Sequence, residues 1–167
     1  LMFDCTQMDD YGPYARMKPP FRDRERVEQL QWAYAEGLLQ YTGSDHAPFT
    51  PTEKTGSGSI WNSPDGLAGL EMTLLLLLEL AEQGVFPYER IAVSTAANTA
   101  ERFSLRGKGR IALGYDADLA VVRRCSAPYP FKRTMLHSKH VESGCIYESL
   151  KLSHRIAATY SRGRLIY

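Results

Sequence analysis

The sequence lacks the features that mark several large classes of protein. Its three cysteines, Cys5, Cys125 and Cys145, are odd in number and show no C-x-x-C spacing, which argues against a disulfide framework and favours reduced thiols in a cytoplasmic setting. The 20 basic and 19 acidic residues leave a formal charge of +1, so no global field draws the chain to nucleic acid or to an anionic membrane surface. We therefore expect small or compact partners.

A long hydrophobic run is missing as well. The most apolar stretch, "MTLLLLLELA" at residues 72–81, is far shorter than the roughly 20 residues of a membrane span, and Glu71, Glu79 and Glu82 lie in or beside it. It predicts a core helix and no membrane association. No basic segment followed by an apolar one opens the sequence at Leu1, so we expect no signal peptide but a fragment of a longer protein.

With 167 residues, 44% of them hydrophobic, the chain has enough apolar material to bury a core. We predict a helix at residues 22–39. Asp23 is placed to cap its start, and apolar residues follow at helical spacing, namely Val27, Leu30, Tyr34 and Leu38. The stretch "LLQYTG" comes next, and it predicts a buried strand at residues 41–44. A helix followed by a buried strand is typical of an α/β fold.

Two more helices are predicted after residue 44, and strand-like segments follow them. Residues 67–83 are apolar nearly all round and stop before Gly84, which predicts a helix packed on both sides. A third helix is predicted from Pro87 to about residue 103. From Gly107 onward, strand-like segments alternate with Gly and Asp turns, which indicates a small β module beside the α/β part.

The motif "TGSDHAPFTPTEK" at residues 42–54 places an acid and a histidine at the end of the predicted strand. In parallel α/β folds the catalytic groups lie at the carboxyl ends of strands. Asp45 and His46 are therefore candidates for metal binding or acid–base chemistry. A structural role for the pair fits these residues equally well.

Five motifs in order are more specific: "KPPFR" (residues 18–22), "GSDHAPFTPTEK" (43–54), "SPDGLAGLE" (63–71), "AANTAERF" (96–103) and "GKGRIALGYDADLAVV" (107–122). The series resembles the carboxyl-terminal third of the cyclic amidohydrolases, which comprise dihydroorotases, allantoinases and hydantoinases or dihydropyrimidinases. The resemblance implies an α/β fold, the carboxyl-terminal part of a (β/α)8 barrel plus part of a small β-sandwich. Residues 1–106 would hold the strand-seven loop, helix seven, strand eight, helix eight and the following helix, and residues 107–167 the sandwich strands.

The resemblance also implies a chemistry for Asp45. In the family, the aspartate after strand eight coordinates the more buried of two divalent metals, here expected to be zinc, and moves a proton from the bridging hydroxide to the leaving nitrogen. Asp45 is thus predicted to be both a metal ligand and catalytic. The family's other ligands, four histidines and a carboxylated lysine, belong upstream of Leu1. We therefore expect no complete metal site in this chain, which would need the rest of the barrel and would form a homo-oligomer.

Four residues are predicted to bind substrate: Lys18, Phe49, Asp65 and Gly66. Phe49 stands where dihydroorotases carry a carboxylate-binding histidine and where hydantoinases carry an aromatic residue, which favours a neutral cyclic ureide or imide. Packing of the loop is an equal alternative for Phe49. Asp65 replaces an asparagine that contacts the ring through its backbone. Lys18 replaces a small residue, and a lysine facing the pocket would favour an anionic substrate.

The remaining residues receive supporting roles. His46 and Arg22 are predicted to orient the loops, and His137, His140 and His154 to have surface or structural roles in the β module. Three functions stay open at this point: hydrolysis of an allantoin-, hydantoin- or dihydropyrimidine-like ring, dihydroorotase activity, which Phe49 disfavours, and a non-catalytic scaffold related to these enzymes.

Overall fold

The computed structural model describes residues 1–138 and 141–167, and within them six α-helices and three strands. The helices are α1 (Gln7–Tyr11), α2 (Arg24–Ala35), α3 (Pro51–Thr55), α4 (Met72–Glu82), α5 (Tyr88–Ala92) and α6 (Asn98–Arg102). The strands are β1 (Leu119–Pro130), β2 (Lys151–Ser161) and β3 (Arg164–Leu165). Short 3-10 segments lie at Gly12–Ala15, Ile60–Asn62, Arg133–Met135 and Val141–Ser149, and a π-helical turn, Val93–Ala97, joins α5 to α6. In these described ranges, no helix is long and apolar enough to cross a membrane.

Helix α2 is shorter than the predicted span of residues 22–39. The Asp23 side chain accepts the N–H of Arg26 at 2.9 Å, as an N-cap does. At the other end Gly37 has a φ of 79°, and the N–H of Leu38 bonds to the C=O of Ala33 at 3.0 Å. This is the Schellman arrangement, in which a glycine ends the helix. The predicted helix therefore ended too late because Leu38 continues the apolar pattern past the stop.

The prediction of a buried strand at residues 41–44 is wrong for this structure. These residues are coil, and half of the surface of Tyr41 is exposed. A strand needs neighbouring strands to take its backbone groups, and the described residues place none beside this segment. It is held to the π-helical turn instead, since the N–H of Thr42 donates to Ser94 O at 3.1 Å.

Helix α4 separates two core clusters, as the prediction of a helix packed on both sides implies. One cluster joins the start of α4 to the loops and the β module: Ala15, Leu67, Met72, Phe131, Leu136, Cys145, Ile146, Tyr147 and Leu152. The other joins its end to α2 and α5: Tyr34, Leu77, Leu78, Leu80, Ala81, Phe86 and Ile91. The helix begins at Met72 and not at Leu67, because the backbone of Leu67 pairs with His46.

The predicted β module is present as one antiparallel sheet in the order β1-β2-β3. Its first strand begins at Leu119, later than Gly107, and two 3-10 segments lie between β1 and β2. Arg162 and Gly163 connect β2 to β3 with φ values of 48° and 77°, as a two-residue hairpin turn of the primed type requires. A second sheet of a sandwich is not found among the described residues.

Charged side chains of α4 tie the helix to this sheet. Glu79 accepts the N–H of Ser153 at 2.6 Å, and Glu82 accepts from Arg124 Nε at 3.0 Å and from Tyr88 at 2.6 Å. Hydrogen bonds from Arg124 and then Tyr88 hold the pKa of Glu82 down, at about 2. The division at residues 106 and 107 into two domains stays a prediction, and the first core cluster includes residues from both sides of it.

Candidate active site

Two loop segments lie side by side and form the centre of the candidate site. Residues 44–49 follow the extended coil, and residues 64–70 lead into α4. His46 and Leu67 form a parallel β-bridge, and the N–H of Ala47 donates to Leu67 O at 2.9 Å. These bonds bring most of the sequence-predicted residues onto two adjacent strips of backbone.

Two glycines allow the strips to approach this closely. A Cβ at Gly66, whose φ is 155°, would lie 2.4 Å from Ala47 O and 3.0 Å from the ring of Phe49. A Cβ at Gly69 would lie 2.6 Å from Ser44 O. Any larger side chain at either position would push the two segments apart. The closeness of the strips therefore depends on glycine at both positions.

Asp45 lies exposed on the first strip, with a φ of 44°. Non-glycine residues adopt this left-handed conformation uncommonly, and aspartate is among those that tolerate it best. Across the described ranges, the Asp45 carboxylate has neither an ion-pair nor a hydrogen-bond partner. It is therefore free to bind a cation or to exchange a proton.

His46, next to Asp45, points its ring at the second strip. Its Nδ1 accepts the N–H of Leu70 at 3.1 Å. In a neutral imidazole the ring proton then lies on Nε2, which cannot serve as a metal ligand in that tautomer. The contact fits the predicted loop-orienting role of His46, which stays a prediction.

Asp65, on the second strip, is surrounded by two cations. Arg16 Nε lies 2.7 Å from Asp65 Oδ1, and Lys18 Nζ lies 2.9 Å from Oδ2. Hydrogen bonds from Arg16 and then Lys18 lower the pKa of Asp65 below its usual range. Lys18 is thus brought to Asp65, although its side chain remains 74% exposed. The N–H of the next residue, Gly66, is donated to Arg16 O at 3.0 Å.

Lys54 contacts the segments that carry Arg16 and Asp65, and no such role was predicted for it from the sequence. Its side chain has no exposed surface, and burial lowers its pKa to about 8. Its ammonium lies 5.6 Å from the centre of the Phe49 ring, within the range of a cation–π contact. The capping box formed by Thr50 and Glu53 predicts a helix start at this place. Burial of Lys54 depends on distant segments, so no local signal could have revealed it.

The other predicted residues lie apart from these contacts. Arg22 is exposed, and its C=O accepts the N–H of Cys5 at 2.8 Å. His137 pairs with Glu71 at 2.9 Å, His154 is buried against α4, and His140 lies outside the described residues. Among the residues that the structure describes, no three His, Cys, Asp or Glu side chains form a group that could hold a metal ion. Asp45 can supply one oxygen ligand to such a group.

The chain is similar in sequence to one protein family and to allantoinases and dihydroorotases. The Amidohydrolase family model matches residues 18–166. An allantoinase of Bacillus velezensis is 38% identical over 167 residues, which is 100% of this chain and 36% of the relative. A dihydroorotase of Halobacterium salinarum is 41% identical over 145 residues, which is 87% of this chain and 32% of the relative.

Solved structures agree in fold. The L-hydantoinase (dihydropyrimidinase) from Arthrobacter aurescens matches with a TM-score of 0.90 at 24% identity, over 98% of this chain and 36% of that one. The D-hydantoinase (dihydropyrimidinase) from Thermus sp. matches with a TM-score of 0.85 at 25% identity, over the same two shares. The predicted fold, part of an amidohydrolase barrel with a small β module, is confirmed.

The chain covers only part of each curated relative. The chain spans about a third of the length of the curated relatives that it matches, so it is similar to one part of those proteins. The family model, in contrast, covers nearly all of the chain. The chain belongs to the amidohydrolase family.

Proposed function

We propose that this chain is the carboxyl-terminal part of a metal-dependent enzyme that hydrolyses a C–N bond in a cyclic amide, a ring like allantoin, hydantoin or dihydropyrimidine. The observation that carries the proposal is the free, exposed carboxylate of Asp45 on a loop strip that two close glycine contacts hold against its neighbour. The similarity to an allantoinase and a dihydroorotase supports this class of ring.

Asp45 would provide one ligand to a pair of divalent metals, which we propose to be zinc. The other ligands would come from the parent protein outside residues 1–167, whose barrel segments are the main partner of this chain. Bound divalent metal lowers the pKa of water enough to make a nucleophile at neutral pH. We further propose that the parent is a cytoplasmic homo-oligomer.

The second role of Asp45 is proton transfer. Hydrolysis adds water to the ring carbonyl and breaks the C–N bond, and the departing nitrogen must gain a proton because an amide anion is a poor leaving group. Asp45 would accept the proton that the attacking water loses and return it to that nitrogen. One carboxylate can serve both steps as general base and then general acid.

The second strip and Phe49 would bind the ring. Phe49 would offer an apolar face, and backbone groups of Asp65 and Gly66 other than the Gly66 N–H, which donates to Arg16 O, would lie beside it. The Lys18 ammonium is paired with Asp65, so part of its charge is already offset. A neutral ring avoids the cost of pressing a carboxylate against an aromatic side chain without new hydrogen bonds.

Dihydroorotase activity is a second candidate, because Arg16 and Lys18 place two cations around the single carboxylate of Asp65. The remaining positive charge could attract a substrate carboxylate. The full-length parent, loaded with zinc, should therefore be assayed on allantoin, hydantoin, dihydrouracil and dihydroorotate, with Lys18→Ala alongside. The second candidate would be favoured if the parent has its highest kcat/KM on dihydroorotate and if Lys18→Ala loses that activity but keeps the others.

Asp45→Asn tests the mechanism, because it keeps the shape of the side chain but removes the base. Turnover of the best ring should fall by at least about two orders of magnitude, the scale for losing a positioned acid or base. Asp10→Asn, on the exposed face of α1, is the matched control. Activity of Asp45→Asn within a few-fold of the parent contradicts the assignment, and a parent that hydrolyses none of the four rings supports a non-catalytic scaffold.

A further inference from the structure

Lys54 lies on a short surface helix, where a lysine side chain could extend into solvent, but its side chain is buried. The side chain extends from α3 into the protein and has no exposed surface. Its Nζ donates to Arg16 O at 3.0 Å and to Pro64 O at 2.8 Å. A buried ammonium is unfavourable unless hydrogen bonds replace its water, and these two carbonyls supply that replacement.

The two carbonyls belong to the segments that carry the predicted substrate-binding residues. Arg16 lies two residues before Lys18, and Pro64 directly precedes Asp65 and Gly66. Arg16 O also accepts the N–H of Gly66 at 3.0 Å. The Lys54 ammonium thus joins the loop before Lys18, the second strip and the helix that follows the Asp45 loop.

Within the part of the chain that the structure describes, no ion pair accounts for the burial of Lys54. Asp65, which attracts it, is held by Arg16 and Lys18. Burial is the main cause that lowers the pKa of Lys54, the Asp65 carboxylate opposes the shift, and the Arg16 guanidinium lowers the pKa further. The two hydrogen bonds to backbone carbonyls, together with the contact to the Phe49 ring, therefore hold the ammonium in place.

We infer that Lys54 is a positioning residue for substrate binding, which holds the Lys18 loop and the Asp65–Gly66 strip at a fixed distance from Phe49. The inference rests on the proposed function, since the residues it positions are those proposed to contact the ring. Lys54 itself need not touch substrate. Its loss should let the Lys18 loop and the Asp65–Gly66 strip move away from Phe49 and leave Asp45, on the other strip, in place.

The test is carried out on the full-length parent with Lys54→Met, which keeps the length of the side chain and removes the donors. Lys54→Arg is the conservative variant, and Lys151→Met, exposed on β2, is the matched control. Zinc-loaded protein is assayed on the best of the four rings. The metal-free protein is titrated with the same ring by calorimetry, which reads binding without turnover.

Lys54→Met should raise KM and the calorimetric Kd about tenfold or more, with kcat and bound zinc within about threefold of the parent. Lys54→Arg should restore most of the binding, and Lys151→Met should change nothing. If Lys54→Met does not fold, Lys54→Gln takes its place. Its side chain is shorter than that of lysine but still carries N–H donors, so it should show an intermediate rise in Kd. If the Kd is unchanged in whichever of Lys54→Met and Lys54→Gln folds, the inference is overturned and the proposed function stands. If the parent binds none of the rings, both are overturned.

Discussion

Substitution of Gly66 by alanine is a direct test of the loop packing at the candidate site. The new Cβ would lie 2.4 Å from Ala47 O and 2.6 Å from Ala47 Cβ, distances that require the backbone to move. Overpacking of this kind costs about 1–3 kcal/mol, and a φ of 155° adds a backbone strain of the order of 1–3 kcal/mol for alanine. We therefore expect Gly66→Ala to lower the free energy of unfolding by about 2–6 kcal/mol.

Gly58→Ala separates the two causes. Gly58 also has a positive φ, 66°, but a Cβ there meets no atom within 4 Å. It should therefore show the backbone cost alone, about 1–2 kcal/mol. Urea unfolding of the full-length parent and both variants gives the comparison. An equal loss for Gly58→Ala and Gly66→Ala would refute the close approach of the two strips.

The junction between α4 and the sheet predicts a pH dependence. The pKa of Glu82 is lowered from 4.5 to about 2, so its stabilisation is present above about pH 4.5 and is lost as the pH falls toward 2. Glu82→Gln should therefore lower the urea midpoint of the parent at pH 6 by more than at pH 3, and an equal effect at both pH values would contradict this. The chain of residues 1–167 alone leaves large apolar side chains exposed, including Trp61, Ile111 and Leu113, so it should bind an apolar dye or aggregate. A monomer without dye binding and with cooperative unfolding would defeat that expectation.

Local signals predicted the parts of the fold that neighbouring residues determine. The Asp23 cap lies where the sequence placed it, and the turn at Gly163 follows from the need for a positive φ. The helix before Gly84 was predicted from its apolar run, and its packing on both sides is confirmed. The series of five motifs added the architecture, which no single stretch could have given.

Apart from the end of α2, which the local stop at Gly37 determines, the errors arose where the conformation depends on distant segments. Residues 41–44 have the composition of a buried strand, but the described residues provide no strand to pair with them. Leu67 continues the apolar pattern of α4, yet its backbone pairs with His46 across the site. No role was predicted for Lys54 or Arg16 from the sequence, because the carbonyls and the carboxylate that hold them are 10 to 49 positions away in the chain.

Under the proposed function, the rest of the parent protein would change the surroundings of both the coil at residues 41–44 and the carboxylate of Asp45. Strands of the parent barrel on either side would take the backbone groups of this segment and cover Tyr41, which is now half exposed. The same pairing would fix the direction in which Asp45, the next residue, leaves the strand. Closure of the barrel and placement of the proposed metal ligand would then be coupled, and barrel segments that cannot pair with residues 41–44 should fail to create a competent site even if they carry every other ligand.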